Sequence, residues 1–214
     1  MIGVAPSHPR LTPSRSALFL WFLALCLFPV DRGVAQQPDS ASVARFQLAE
    51  SFLRSGQFDR AINILEQLYE ARPSTFVFFN RLKQAYESTK RYEDAIRLVD
   101  DQIEREPLPV THFADRGRLR YLQGEEEGAM QDFREAIDLA PERSSSYVAV
   151  YQILVQLRLF EQAASLMEDG RARLGDASLF RRELGYLYGL LGAHGRAMEE
   201  YVGLLGEDER QLGV

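Results

Sequence analysis

Cysteine is nearly absent from this chain of 214 residues: Cys26 stands alone, which excludes an internal disulfide and a thiolate metal cage. Histidine is almost as scarce, limited to His8, His112 and His194, so an imidazole metal site has little to draw on. A basic excess is also lacking. Against 25 Lys and Arg stand 31 Asp and Glu, a net charge of -6, and the broad positive field that phosphate backbones require is not available. Nucleic acid is not an expected ligand. The chain contains no Gly-x-Ser-x-Gly, no Walker lysine loop, no His-Glu-x-x-His and no Gly-x-Gly-x-x-Gly, and nothing nucleophilic is framed by a base. No enzyme activity, cofactor or metal is expected. What is plentiful is apolar surface: 46% of the residues are hydrophobic, enough to form a core and too many for disorder.

One long apolar run exists. Arg10 and Arg15 precede Ala17 to Phe28, and Pro29, Val30 and Gly33-Val34-Ala35 follow, with small residues at the -3 and -1 positions of a cut after Ala35. Residues 1–35 are therefore expected to be a cleavable secretory signal peptide, the only part of the chain that meets a membrane. The rival is an uncleaved anchor, but a spanning helix needs about 20 apolar residues and Asp31-Arg32 stops the run short. Leu25 stands before Cys26 where a lipoprotein signal resembling the known pattern has Gly, Ala or Ser, so Cys26 leaves with the signal. Export of a chain without disulfides points to a bacterial periplasm or exterior.

Beyond a short polar leader, residues 36–41, the chain is periodic. Ala61, Ala95, Ala129, Ala163 and Ala197 recur every 34 residues, and Pro73, Pro107 and Pro141 recur at the same spacing twelve positions later. Leu65, Val99, Phe133, Met167 and Tyr201 each lie four residues after an alanine, on the same helical face. Polar residues such as Asp59, Arg60 and Glu66 interrupt these stripes, so the helices are amphipathic rather than membrane-spanning. Five units follow: 42–75, 76–109, 110–143, 144–177 and 178–211, with 212–214 as a C-terminal end.

These residues resemble the tetratricopeptide repeat family, most specifically through Leu48-Ala49, Phe52, Gly56, Phe58, Ala61, Leu65 and Pro73 in repeat one, Gly117, Gly124, Ala129, Phe133, Ala136 and Pro141 in repeat three, and Leu184-Gly185, Tyr188, Gly192, Ala197 and Tyr201 in repeat five. The resemblance implies an all-α fold, an α-solenoid of about five antiparallel two-helix repeats forming a right-handed superhelical arc. The recurrent alanine marks the closest approach of the two helices of a unit. Gly56, Gly124 and Gly192 supply a left-handed turn between them, and Lys90 and Arg158 at the same position predict turns of a different shape.

Several positions depart from the pattern. Repeat three carries Arg116 and Arg120 where repeat one has Leu48 and Phe52, and Glu126 where it has Phe58. The arginine stems are expected to cover apolar surface while their heads reach Glu126, Glu127 or water; a buried anion site is the alternative. Glu125-Glu126-Glu127 reads as a solvated turn, since three adjacent side chains do not converge like a calcium loop. His194 stands at the aromatic position of Phe58, Tyr92 and Phe160 and reads as packed or partly exposed. Phe79 is expected in the core, with Phe76 and Phe78 either packing on the preceding unit or forming a contact patch.

The resemblance further implies a non-catalytic scaffold that binds a peptide or helix of another protein in a concave groove lined by the first helices. Carried across, the groove positions are Phe46, Glu50, Leu53 and Arg54; Asn80, Gln84 and Glu87; Ala114, Arg118 and Tyr121; Val148, Gln152 and Val155; and Arg182, Tyr186 and Leu190. Arg118 and Tyr121 at the middle are the candidate anchors, set against the reading in which Arg118 is solvated and Tyr121 fills the core. Phe46 and Glu50 stand where chaperone-binding members supply a lysine and an asparagine, which disfavours a chaperone adaptor. A recognition module at the N-terminus of a longer enzyme or envelope machine is the alternative function. The second helix of repeat five exposes the face that would receive a sixth unit, so this end is expected to be extended by further chain, covered, or used for self-association.

Overall fold

A computed structural model of the chain describes residues 40–211, with side chains through Gly206. The expected signal peptide, Cys26, the greater part of the leader and residues 212–214 lie outside the described residues. Ser40 and Ala41, expected in the leader, already belong to the first helix.

Among the described residues there are ten helices and no strands: α1 (Ser40–Arg54), α2 (Phe58–Ala71), α3 (Phe76–Ser88), α4 (Tyr92–Arg105), α5 (Val110–Gln123), α6 (Glu126–Asp138), α7 (Ser144–Gln156), α8 (Phe160–Leu174), α9 (Arg181–Leu190) and α10 (His194–Gln211). The second helix of each pair begins at Phe58, Tyr92, Glu126, Phe160 or His194, so the 34-residue period of the sequence is the period of the helices. Their apolar residues fall at helical spacing, as Ala61, Ile62, Leu65, Leu68 and Tyr69 do on α2, and all five are buried. Asp59, Glu93-Asp94, Glu126-Glu127 and Glu161 occupy first turns, where carboxylates complement the helix dipole. Pro73, Pro107 and Pro141 lie past the ends of α2, α4 and α6, where a missing N–H breaks no helical bond.

All five recurrent alanines are buried. The reason for their size is visible where α5 meets α6: a Cβ built on Gly117 would stand 2.6 Å from the Phe133 ring and 3.0 Å from the Ala129 carbonyl oxygen. Gly185 faces Tyr201 in the same way at 2.8 Å, so glycine at one position accommodates an aromatic ring at the other. Repeat one has the smaller pairing of Ala49 and Leu65 at these positions.

The turns at Lys90 and Arg158 do not differ in shape, contrary to expectation. Lys90 (φ 57°) and Arg158 (φ 60°) are left-handed like Gly56, Gly124 and Gly192. All five turns close with the same bond from the amide just after the left-handed residue to a carbonyl five residues earlier, Gln57 to Phe52, Arg91 to Tyr86, Glu125 to Arg120, Leu159 to Leu154 and Ala193 to Tyr188, at 2.8 to 2.9 Å. That bond fixes the conformation whatever the side chain. Arg158→Gly and Lys90→Gly are therefore expected to stabilise the array by up to about 1 kcal/mol each, because the left-handed penalty exceeds the entropy that glycine adds to the unfolded chain; a lowered urea midpoint would contradict this.

Repeat five begins differently. Its first helix starts at Arg181 rather than Ser178, because Asp176 accepts bonds from the Ser178 amide (2.8 Å) and hydroxyl (2.6 Å) and the buried Phe180 is left-handed at φ 60°. The phenylalanine cluster of repeat two also divides: Phe79 is buried near Tyr69, Phe78 is buried against Phe46 with ring centres 5.5 Å apart, and Phe76 is 72% exposed.

The buried apolar side chains form two clusters. One holds repeats one and two together with Leu119; the other runs from Ala114 and Ala129 to Ala197.

Candidate protein-interaction surface

Two of the four seams between neighbouring repeats carry the same polar contact at one repeated position. The Tyr86 hydroxyl of α3 donates to Glu66 of α2 (2.6 Å), and 102 residues later the Tyr188 hydroxyl of α9 donates to Glu168 of α8 (2.6 Å). Arg91 and Arg196 lie over the respective tyrosine rings, 4.9 and 4.0 Å from the centres. Burial, reinforced by the bond to Glu168, pushes the Tyr188 phenol up to about 12, while the hydrogen bond from Tyr188, aided by Arg196, holds Glu168 below the usual carboxylate range. Between repeats two and three the equivalent acid, Asp100, accepts from Arg116 (2.8 Å). Between repeats three and four the two positions carry Arg134 and Leu154, and a trench of about 500 Å³ lined by Met130, Ile137, Leu154 and Leu166 takes the place of the polar contact.

Arg116 and Arg120 do not reach Glu126 or Glu127. Both converge on Asp132, whose side chain is fully buried: its Oδ1 accepts from Arg116 Nε (3.0 Å) and Nη2 (2.6 Å) and from Arg120 Nη1 (3.0 Å). Of the acidic turn only Glu125 approaches, at 4.0 Å from Arg120. Burial pushes the Asp132 carboxyl up, and the bond from Arg116 and both arginine charges oppose that. The sequence signal for this partner was the third residue after the recurrent alanine, where Ile64, Leu98 and Leu166 give way to Asp132 and Glu200. Glu200 repeats the arrangement, buried and held by both Arg171 Nη atoms (2.6 and 2.9 Å) and by Arg181 (3.3 Å). The arginines of repeat three thus make a structural ion cluster, and its anion is internal.

The first-helix positions are unevenly available. Ala114 is buried, its methyl inside the apolar cluster against which Val148 and Tyr121 pack, so no partner can touch it; its place as a groove residue is corrected. Arg118 is not solvated: it donates to both Glu87 oxygens (2.9 and 2.6 Å) and lies 3.7 Å from Asp115. Glu50 pairs with Arg81 (2.8 Å) and Lys83 with Asp115. Across repeats one to three, then, Glu50, Arg81, Lys83, Glu87, Asp115 and Arg118 of the first helices are spent on one another. Phe46, Leu53, Asn80, Tyr121, Val148 and Val155 are half-buried, whereas Arg54, Gln84, Gln152 and Arg182 are exposed, as are Tyr186 (46%) and Leu190 (47%). His112 is buried, 3.1 Å from Glu106 and edge-on to Phe79, and His194 is exposed at the start of α10. No group of side chains among the described residues could hold a metal ion.

A segment of 83 residues is 30% identical to the protein STIP1 homolog of Dictyostelium discoideum, covering 39% of this chain and only 15% of that protein. Solved structures of similar fold include MamA from Desulfovibrio magneticus (13% identical, 82% of this chain and 99% of that one, TM-score 0.45) and a tetratricopeptide repeat protein from Parabacteroides merdae (13%, 81% and 67%, TM-score 0.46). A thermophilic tetratricopeptide repeat protein from Thermus thermophilus is 17% identical over 80% of this chain and 94% of that one, with a TM-score of 0.43. The tetratricopeptide repeat model matches residues 46–106 and 83–144, which hold α2 to α6 whole. The same 34-residue spacing continues through α8 and α10, and the matched repeats support a protein of the tetratricopeptide repeat family.

Proposed function

We propose that this chain, a protein–protein interaction scaffold by virtue of its repeats, binds an extended or helical segment of a partner along its first helices, with the principal contacts on α9 rather than at the middle of the array. The observation that carries this reading is the spacing of Arg182, Tyr186 and Leu190. They stand four residues apart on one face, all exposed, while Arg118 is committed to Glu87. Arginine and tyrosine supply directional donors and large contact areas, and such residues dominate interface energies. With a partner captured by pull-down, alanine at Tyr186 and Leu190 together is expected to weaken binding at least tenfold, about 1.4 kcal/mol, with an unchanged melt. Arg118→Ala is expected to lower the melt, because it strands Glu87 among first-helix charges that are otherwise paired. Full binding by the Tyr186/Leu190 variant would overturn the assignment.

The scaffold is read as non-catalytic and as exported to a bacterial periplasm or exterior. The support is the arrangement of Arg10, Arg15, the apolar run and Ala35. The exported protein is expected to begin at Gln36 by intact mass; retention of Met1 with the membrane fraction would refute it. The alternative, a recognition module of a longer enzyme or envelope machine, is decided by the length of the open reading frame beyond Val214.

A further inference from the structure

We propose that copies of this chain stack end to end, the α10 face of one copy receiving the α1 face of the next in the register that joins repeats inside the array.

The internal seams provide the template. Where repeat one meets repeat two, Ile62, Leu65 and Tyr69 of α2 are buried, as are Phe78, Leu82, Ala85 and Tyr86 of α3; Tyr69 lies 6.4 Å from Phe79 between ring centres and Tyr86 bonds to Glu66. Four periods on from that α2 face stand Met198, Tyr201, Val202 and Leu205 of α10, which are 64, 42, 57 and 65% exposed. They fall at i, i+3, i+4 and i+7, an apolar stripe along one side of the helix. One period before that α3 face stand Ala44, Leu48, Ser51 and Phe52 of α1; Leu48 is 48% exposed and Ala44 and Ser51 are exposed too. Each end of the described array therefore displays the positions that inner seams bury, and each is the counterpart of the other.

The two faces also match in chemistry. At the polar contact position, the inner seams pair Glu66 with Tyr86 and Glu168 with Tyr188. At the ends the same two positions hold Val202 and Phe52, so neither brings a charge or hydroxyl that stacking would leave unpaired. Leu48 stands where Leu82, Val150 and Leu184 stand, and those three side chains are 0 to 2% exposed inside the array. Small Ala44 and Ser51 on one face leave room for Met198 and Leu205 on the other. The contact joins two different faces, so it is heterologous, and in the register of the inner seams it continues from copy to copy as an open chain.

Sedimentation of the chain as the cell processes it should give a mass that rises with concentration. Leu48→Glu and Leu205→Glu, both at exposed positions and so without effect on the melt, should each remain monomeric at every concentration. Mixed in equal amounts they should form a dimer and nothing larger, because one variant keeps an intact α1 face and the other an intact α10 face. Three results would overturn the proposal: a wild-type mass independent of concentration, as when residues preceding Ser40 cover the α1 face; self-association of either single variant, as in a symmetric contact of two α10 faces; or an equal mixture that stays monomeric.

Discussion

Asp132→Ala is expected to lower the stability of the array by about 3 to 5 kcal/mol, the largest effect of any single truncation in repeat three. The carboxylate is fully buried and is the meeting point of Arg116 and Arg120, whose side chains are only 15 and 27% exposed. Removing it leaves Arg120 with no carboxylate nearer than Glu125 at 4.0 Å and Arg116 with only Asp100 and Glu135, two guanidinium groups close together, so the loss reflects the partners left short of charge rather than the worth of the cluster. That distinction is measurable. Repeat one carries Leu48, Phe52 and Ile64 at the three positions, and the combined variant Arg116→Leu, Arg120→Phe, Asp132→Ile should recover most or all of the lost stability, since apolar side chains of suitable volume commonly replace buried ion clusters without penalty. Urea melts of the single and triple variants decide it; equal losses in both would mean that the cluster stabilises the fold in its own right.

Ala129→Arg should cost roughly 3 kcal/mol or more, because it forces a long charged side chain into the closest contact of α5 and α6. Ala129 is wholly buried, and its carbonyl lies 3.0 Å from where a Cβ on Gly117 would be, so neither helix can yield without opening the pair. Gln131→Arg, two residues away on the exposed side of α6, should change the urea midpoint by no more than about 0.5 kcal/mol. Equal effects of the two would mean that the inward side of α6 is misassigned.

The period and the buried alanines were legible in the sequence, because each depends on side-chain size or apolar spacing at a fixed interval. The turns at Lys90 and Arg158 were not, since side-chain preference favoured another shape while a backbone hydrogen bond common to all five turns decided the outcome. The partner of Arg116 and Arg120 was missed for a related reason. The acids to which the sequence pointed, Glu126 and Glu127, lie on the exposed first turn of α6, while Asp132 projects inward at a position that is aliphatic in three other repeats. On the first helices, position alone did not distinguish a methyl enclosed by its neighbours, as at Ala114, from a ring that emerges, as at Tyr186. Nor did it reveal that Glu87 and Arg118, each a candidate contact, satisfy one another.

The polar contacts between repeats bear on how such a chain could be lengthened or shortened. Excising residues 110–143 removes one whole period and keeps every helix in phase, yet it brings Asp100 opposite Val150 and Leu154 and takes away the arginine that neutralises it. Duplicating the same block sets Arg134 beside a second Arg120. Units of identical length are therefore not interchangeable here: the order of the repeats is written in the charges at their seams, and a reshuffled array would be rejected electrostatically even where its helices fit.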